Sequence, residues 1–470
     1  MSHPLRKYAW AIPALFLLYF FGMDHVGLLG PDEPRYASIG REMARSGDWV
    51  TPRLDGEAWF EKPALLYWMT AAAYKAGFDD DLAPRVPVAA LSAAFLIFFF
   101  WIVRSEFDED TAAYSSIILA TCAGWLAYGQ IGVPDLPLAA TFSAAMLLCL
   151  RPGVRRAALA GVFLGLAVLA KALVPLVLAV PLLWKRRFRE LLTIGAVCVV
   201  VAAPWYVLCT MRNGPPFWQD LILKQHFSRF TSDALGHGQP FWYYAPVLLG
   251  SLFPWTPLII PVFRREIVTD SRQLFLLMWA GLGFVFFSFA PNKLPGYMLP
   301  ILPAIALLMG IRLAQMKGAR TYLMAVALLL VMIPVVGEIL PRALLVGLRG
   351  VKVSYSLYWA PLAVVVAIGV KQLEEAGRRR FAMTLLGAVL LLGVVFFKTW
   401  VYPRLESTYS ARYVWRRIEH RQYETCVEDI SRTWIYGLNF YAERPLPPCS
   451  ARKLPVRLIP GEARRPVIVF

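Results

Sequence analysis

Long apolar runs constrain this chain more than any other feature of its sequence, because each run is about as long as a membrane is thick. A helix needs roughly 17 to 25 residues to cross the hydrocarbon core, and such runs recur from the first ten residues almost to position 400. Only 17% of the residues are charged, against about one quarter in an ordinary soluble domain. The sequence therefore predicts an all-α polytopic membrane protein.

We predict about thirteen transmembrane helices in a membrane domain of residues 1–400, followed by a small α/β domain of residues 401–470. The two spans that flank Lys171 are short, so they could instead form one bent hairpin or one long helix. The predicted spans are residues 8–29, 86–103, 111–129, 133–150, 157–170, 172–184, 190–210, 240–262, 273–290, 296–313, 320–340, 355–371 and 381–399.

The loops on one side of this arrangement are rich in Lys and Arg, and such loops stay in the cytoplasm. This places the N-terminus in the cytoplasm and the C-terminus outside. One loop on the basic side, residues 104–110, is mixed, although acidic residues count for little in this rule. The orienting residues are Arg151, Arg155, Arg156, Lys185, Arg186, Arg187, Arg189, Arg264, Arg265, Arg272, Arg312, Lys317, Arg320, Lys371, Arg378, Arg379 and Arg380.

The formal net charge of +17 does not indicate a nucleic-acid-binding protein. Each basic cluster lies between two apolar spans, and the sequence contains no DNA- or RNA-binding motif. Membrane lipids with anionic head groups are sufficient partners for this charge.

Three outward segments are too long to be simple turns: residues 30–85, residues 211–239 and the tail after about 400. In the first, Ile39 and Met43 share a helical face between Pro34 and Gly47, which predicts a helix lying at the membrane interface. Residues 64–78 predict a second one.

The tail contains β-prone runs at residues 434–438 and 467–470 between polar turns. Cys426 and Cys449 are the two cysteines of this outward segment, where a disulfide can form. The other four cysteines lie in or beside apolar spans without metal-type spacing and are expected to pack there.

The densest polar cluster, Asp32-Glu33-Pro34-Arg35-Tyr36, follows the first span. Asp32 has two interpretations that the sequence leaves open. It caps a helix that begins near Pro34, or it is a general base that deprotonates an acceptor hydroxyl.

A second cluster, Trp59-Phe60-Glu61-Lys62-Pro63, lies in the same outer segment. A neighbouring Glu and Lys are most often a solvated surface pair. Beside a lipid-phosphate substrate, however, Lys62 would bind the phosphate as a point charge.

These clusters belong to a set of segments that resembles the lipid-linked sugar transferases of the GT-C type. That family includes the aminoarabinose transferases that modify lipid A and, more distantly, the protein O-mannosyltransferases. The segments occur in the family's order and cover most of the first 310 residues. They are Asp32-Glu33-Pro34-Arg35-Tyr36-Ala37, Trp59-Phe60-Glu61-Lys62-Pro63, Gly132-Val133-Pro134-Asp135, His226-Phe227-Ser228-Arg229-Phe230 and Asn292-Lys293-Leu294-Pro295-Gly296-Tyr297-Met298-Leu299-Pro300.

The resemblance implies roles for individual residues. Asp32 would be the essential outer-loop acid, with Asp135 as a second catalytic carboxylate, and Glu61 and His226 would share a divalent metal such as zinc. The residues implied to bind the donor or its phosphate are Arg35, Tyr36, Trp59, Lys62, Lys171, Arg229, Lys293 and Tyr297.

The reaction that the resemblance implies is transfer of a sugar from a polyprenyl-phosphate carrier to a lipid A-like lipid, a glycan or a protein. It would take place at the periplasmic face of a bacterial inner membrane, by displacement with inversion. The rival hypothesis is a transporter or flippase of a lipid-linked sugar. Transporters commonly show two related halves, and this sequence contains no such repeat.

Overall fold

The computed structural model describes residues 8–184, 187–228, 238–263, 270–351 and 357–470, with the side chains of residues 226–228, 349 and 464 excepted. These residues form a mostly helical protein with a small C-terminal sheet. The helical class predicted from the apolar runs is thus confirmed.

The α-helices are numbered here in chain order. They are α1 (Ala11–Tyr19), α2 (Asp32–Ser46), α3 (Leu65–Lys75), α4 (Val86–Glu106), α5 (Glu109–Thr121), α6 (Ala123–Tyr128), α7 (Asp135–Leu148), α8 (Val154–Lys171), α9 (Val174–Leu178), α10 (Phe188–Asn213), α11 (Pro215–Trp218), α12 (Tyr244–Ser251), α13 (Ser271–Phe289), α14 (Leu302–Gln315), α15 (Arg320–Leu329), α16 (Met332–Val346), α17 (Ala360–Glu375), α18 (Arg379–Phe396), α19 (Tyr402–Tyr409), α20 (Ala411–Trp415) and α21 (Arg432–Ala442).

Several helical segments have other hydrogen-bond periods, and short strands complete the structure. Segments of 3₁₀-helix are Met23–His25, Val180–Leu183, Phe241–Tyr243, Thr256–Phe263, Pro295–Ile301, Leu348–Gly350, Glu419–Glu424 and Glu462–Arg464, and segments of π-helix are Gln219–Ser228 and Phe397–Val401. The strands are β1 (Arg53–Leu54), β2 (Glu57–Ala58), β3 (Thr425–Val427), β4 (Val456–Pro460) and β5 (Pro466–Val469).

Five helical segments within the described residues are long and apolar enough to cross a membrane, and two sharply bent pairs raise that number to seven. The chain is a multi-pass membrane protein on this ground, but the predicted count of thirteen spans is not confirmed. Residues 172–184 illustrate the difference. There α8 ends where Ala172 adopts a positive φ of 47°, and the pieces that follow, α9 and Val180–Leu183, are much shorter than a span.

Glycines let the membrane helices approach closely. A Cβ atom at Gly161 of α8 would lie 2.8 Å from the carbonyl of Ile194 in α10, and one at Gly310 of α14 would lie 2.7 Å from the Ser115 side chain of α5. Small residues at such contacts allow the backbones of membrane helices to pack together.

The two helices predicted in the first long loop are present as α2 and α3, while their location at the membrane interface stays a prediction. Ile39 and Met43 are buried on one face of α2, and Gly47 ends the helix with a φ of 72°, the left-handed geometry that favours glycine. The antiparallel strands β1 and β2 lie between α2 and α3.

The C-terminal sheet has the order β3-β4-β5, with β3 parallel to β4 and β4 antiparallel to β5. The predicted disulfide is present between Cys426 and Cys449. The strand predicted at residues 467–470 is confirmed by β5, but the strand predicted at residues 434–438 is wrong. That segment lies in α21, because its buried residues Trp434 and Leu438 recur at the helical spacing.

The C-terminal segment packs on the first long loop rather than standing apart. Arg41 of α2 donates a 2.7 Å hydrogen bond to the carbonyl of Phe440 in α21. The Tyr441 hydroxyl donates to Asp81 at 2.7 Å and accepts from the Leu28 N–H at 2.9 Å. The predicted domain boundary at 400/401 falls inside the helical segment Arg379–Tyr409.

Candidate functional site

The two acidic residues at the start of α2 have different surroundings. Asp32 is the first residue of the helix, and Pro31 precedes it as the N-cap without a side-chain capping bond. The Asp32 side chain is 45% exposed and accepts a 2.7 Å hydrogen bond from Arg35, one turn further along. The interpretation of Asp32 as a helix cap is therefore not supported, and its carboxylate remains accessible.

Glu33, by contrast, is fully buried and paired. Both of its oxygens accept from the Arg85 guanidinium, at 2.7 and 2.8 Å, and they also accept from the backbone N–H groups of Leu29 and Gly132. Arg85 also donates to carbonyls of the 23–27 segment. This fully satisfied ion pair ties α2 to the start of α4 and to the Gly132 segment. Sequence reasoning missed Arg85, although a cation at the outer end of a span was a signal.

A chain of charges continues from Asp32 to the second motif. The Arg35 guanidinium lies 2.9 Å from one carboxylate oxygen of Glu61, and the Lys62 ammonium lies 3.1 Å from the other. All three side chains are at most 14% exposed. We call Asp32, Arg35, Tyr36, Glu61 and Lys62 the first-loop cluster.

Three aromatic rings surround the Arg35 guanidinium. Their centroids lie 5.1 Å away for Tyr36, 5.8 Å for Trp59 and 5.4 Å for Tyr436. Burial, together with the charges of Glu61 and Asp32, raises the pKa of Tyr36 well above its usual range. Tyr36 therefore stays protonated at neutral pH and can donate a hydrogen bond. Sequence reasoning missed Tyr436, because nothing local to α21 indicates that it packs on α2.

A second group joins residues of three separate motifs. The Lys171 ammonium, at the end of α8, lies 2.7 Å from the Asp135 carboxylate at the start of α7 and 4.3 Å from the centroid of the Tyr297 ring. Asp32 is close enough to Lys171 for their charges to interact. We call Asp135, Lys171 and Tyr297 the Asp135 cluster.

Lys293 has a different environment from the other predicted cations. It is 5% exposed, and its ammonium donates to the carbonyls of Gln239 and Ala290 at 3.0 and 2.5 Å. It forms no ion pair with a carboxylate in the part of the chain that the structure describes. Its motif joins the Asp135 cluster through Tyr297, and the neighbouring Gly296 packs on Tyr128, where a Cβ atom would lie 2.8 Å from the ring.

The metal site predicted at Glu61 and His226 is not confirmed. His226 lies in Gln219–Ser228, but its side chain is outside the described residues, as is the whole of Arg229. Among the side chains that are described, no group of three or more His, Cys, Asp or Glu residues could hold a metal ion. Both Glu61 oxygens already face cations, so the residues seen here do not fit a metal unless Arg35 or Lys62 moves.

Comparison with known proteins gives consistent matches. Residues 11–218 match the dolichyl-phosphate-mannose-protein mannosyltransferase family. An undecaprenyl phosphate-alpha-4-amino-4-deoxy-L-arabinose arabinosyl transferase of Pseudomonas fluorescens is 34% identical over 327 residues, which are 64% of this chain and 56% of that protein. A Pseudomonas aeruginosa transferase of the same name is 33% identical over 334 residues, 66% of this chain and 60% of that protein. The chain thus spans less than two thirds of the length of these relatives.

The fold is similar to that of a solved transferase. ArnT from Cupriavidus metallidurans, in a crystal structure with bound undecaprenyl phosphate, superimposes with a TM-score of 0.75 and 24% sequence identity, covering 97% of this chain and 86% of that one. The apo structure of the same protein superimposes with a TM-score of 0.74. These matches confirm the resemblance to the aminoarabinose transferases and the GT-C type of fold.

Proposed function

We propose that this chain is a membrane glycosyltransferase that moves a sugar from a polyprenyl-phosphate carrier to an acceptor. The observation that carries the proposal is the accessible carboxylate of Asp32 beside buried cations, on a chain that matches transferases named for undecaprenyl-phosphate donors. A 4-amino-4-deoxyarabinose is the donor sugar that those names suggest. The acceptor is a lipid A-like lipid in preference to a glycan or a protein.

In the proposed reaction the acceptor oxygen attacks the anomeric carbon of the sugar. The bond from that carbon to the phosphate oxygen breaks, and the phosphate keeps the electron pair. Asp32 takes the acceptor proton. A single displacement of this kind inverts the configuration at the anomeric carbon.

The positive charge that the departing phosphate needs is present in the first-loop cluster. Glu61 holds Arg35 and Lys62 in fixed positions at 2.9 and 3.1 Å, so little reorganisation is required when charge develops on the phosphate. Lys62 is proposed to contact the phosphate, while Tyr36 and Trp59 line the donor cavity.

The Asp135 cluster is proposed to hold the sugar end of the donor. Asp135 orients Lys171 through the 2.7 Å ion pair, and Tyr297 offers an aromatic face to a sugar ring. Lys293, bound to two carbonyls, is proposed to position the Tyr297 motif. Arg229 is also proposed to bind the donor, and this role rests on the resemblance alone.

We place the reaction at the periplasmic face of a bacterial inner membrane. The basic loops support a cytoplasmic N-terminus and a periplasmic C-terminus. In this arrangement residues 1–400 form the membrane domain and residues 401–470 form a small periplasmic domain docked on α2.

Transfer from a radiolabelled donor tests this function. Purified protein is incubated with polyprenyl-phosphate-linked aminoarabinose and lipid A, and the label is expected in the acceptor lipid. A flippase would instead move the labelled donor across a vesicle membrane without releasing the sugar. Label that stays on the carrier with every acceptor class would contradict the proposal.

A further inference from the structure

A second polar region lies between α16 and the α18–α19 segment, and none of its lining residues belongs to either cluster of the candidate site. Two adjoining cavities of about 300 and 240 Å³ share Glu338 and Arg404 in their walls. Arg342 also lines the larger cavity. Its volume is near the lower end of the roughly 300–1,000 Å³ typical of small-molecule sites, which suits a head group better than a whole lipid.

The charges in these walls are not neutralised by one another. One carboxylate oxygen of Glu338 is buried and has no hydrogen-bond partner among the residues that the structure describes. Neither Glu338, Arg342 nor Arg404 forms an ion pair with any described residue. An unpartnered buried carboxylate oxygen is costly, so this oxygen favours a ligand that brings a charged N–H donor.

Opposite charges kept apart in one cavity fit a ligand with separated charges. Arg342 and Arg404 suit a phosphate, and Glu338 suits an ammonium group. A ligand with a negative charge alone would meet repulsion from Glu338. The charge pattern therefore favours a zwitterionic head group over an anionic one.

The smaller cavity is mainly apolar and aromatic. Its walls include Tyr358, Phe396 and Trp400, and the Arg404 guanidinium lies 5.8 Å from the Trp400 ring centroid. Tyr358 and Trp400 are 55% and 61% exposed, as is common for aromatic residues at the level of lipid head groups. An acyl chain beside a bound head group would fit this half.

We propose that these two cavities form a binding site for a phospholipid with an aminoethyl phosphate head group. The phosphate lies between Arg342 and Arg404, the ammonium group contacts Glu338, and the start of an acyl chain lies against Trp400 and Tyr358. The site shares no residue with the candidate active site, and the proposal does not depend on the transfer activity.

The experiment measures lipid binding to the full chain in detergent by native mass spectrometry. The probes are dioctanoyl phosphatidylethanolamine, dioctanoyl phosphatidylglycerol and soluble phosphoethanolamine. Wild-type protein is expected to prefer the ethanolamine lipid about tenfold over the glycerol lipid, since one charged hydrogen bond distinguishes them. Equal binding of the two lipids would overturn the proposal. If soluble phosphoethanolamine bound as tightly as the ethanolamine lipid, the proposed acyl-chain contact would also be wrong.

Two variants assign the charges. Glu338→Gln should remove the preference by weakening only the ethanolamine lipid, whereas Arg404→Gln should weaken both lipids about tenfold. Glu419→Gln and Arg416→Gln are matched controls on exposed residues and should change neither. If Glu338→Gln bound both lipids as the wild type does, the ammonium contact would be wrong. If a variant failed to fold, the test would rest on whether the wild-type protein prefers the ethanolamine lipid over the glycerol lipid.

Discussion

The ring of Tyr436 lies 5.4 Å from the Arg35 guanidinium, and this contact joins the C-terminal segment to the first-loop cluster. Arg35 pairs at the same time with Asp32 and Glu61. The last part of the chain therefore helps to fix a cation of the candidate site.

Tyr436→Ala is expected to lower the transfer rate by removing one wall of the Arg35 site. A cation–π contact of this kind is worth about 0.5–2 kcal/mol, which corresponds to a rate loss of roughly 2- to 30-fold. Steady-state kinetics with the radiolabelled donor measures it. Tyr436→Phe keeps the aromatic face and should restore most of the rate, so a loss as large as that of the alanine variant would rule out the ring contact.

Breaking the pair between Glu33 and Arg85 is expected to destabilise the protein strongly. Arg85→Met leaves the Glu33 charge buried, at a cost of about 3–5 kcal/mol. Thermal unfolding of the detergent-solubilised protein measures the effect. The exposed pair of Arg320 and Glu375 is the control, because breaking a surface pair costs at most about 1 kcal/mol. Similar unfolding temperatures for Arg85→Met and Arg320→Met would contradict this structural role.

Lys62→Ala is expected to weaken donor binding more than turnover, because it removes a phosphate contact. The loss of a hydrogen bond to a charged group predicts a KM for the donor that rises by about tenfold or more. Lys75→Ala, at the exposed end of α3, is the matched control and should leave KM unchanged. An unchanged KM in Lys62→Ala would remove Lys62 from the donor site.

The membrane orientation is tested by reporter fusions at two points. A cytoplasmic reporter placed at residues 378–380 and a phosphatase placed after Phe470 are both expected to be active, because the basic loops face the cytoplasm. An inactive phosphatase at Phe470, with an active cytoplasmic reporter at the same point, would show that the C-terminus lies inside.

Local patterns in the sequence predicted the parts of this fold that depend on local physics. Ile39, Met43 and Gly47 were sufficient to predict α2, since they define both its buried face and its end. The same reasoning failed at Trp434 and Leu438, where aromatic and β-branched residues suggested a strand although the buried positions follow a helical spacing. The predicted count of thirteen spans is not confirmed. Segments such as residues 172–184 have the apolar composition of a span, but the structure divides them into short pieces.

The candidate site shows the same division. The motif residues Asp32, Glu61 and Lys62 were predicted because each cluster is contiguous in the chain. The contacts of Glu33 with Arg85 and of Arg35 with Tyr436 join distant parts of the sequence. The position of Arg85 at the end of a predicted span marks it as a candidate, but the sequence does not identify its partner, and no local pattern indicates the contact of Tyr436.

The most direct test of the central claim is turnover of Asp32→Asn. The amide keeps the shape of the carboxylate but cannot accept the acceptor proton, so kcat is expected to fall by roughly 10²- to 10⁴-fold while donor binding changes little. Glu42→Gln, an acidic residue further along α2, is the matched control and should keep the wild-type rate. A wild-type rate in correctly inserted Asp32→Asn would contradict the proposed mechanism.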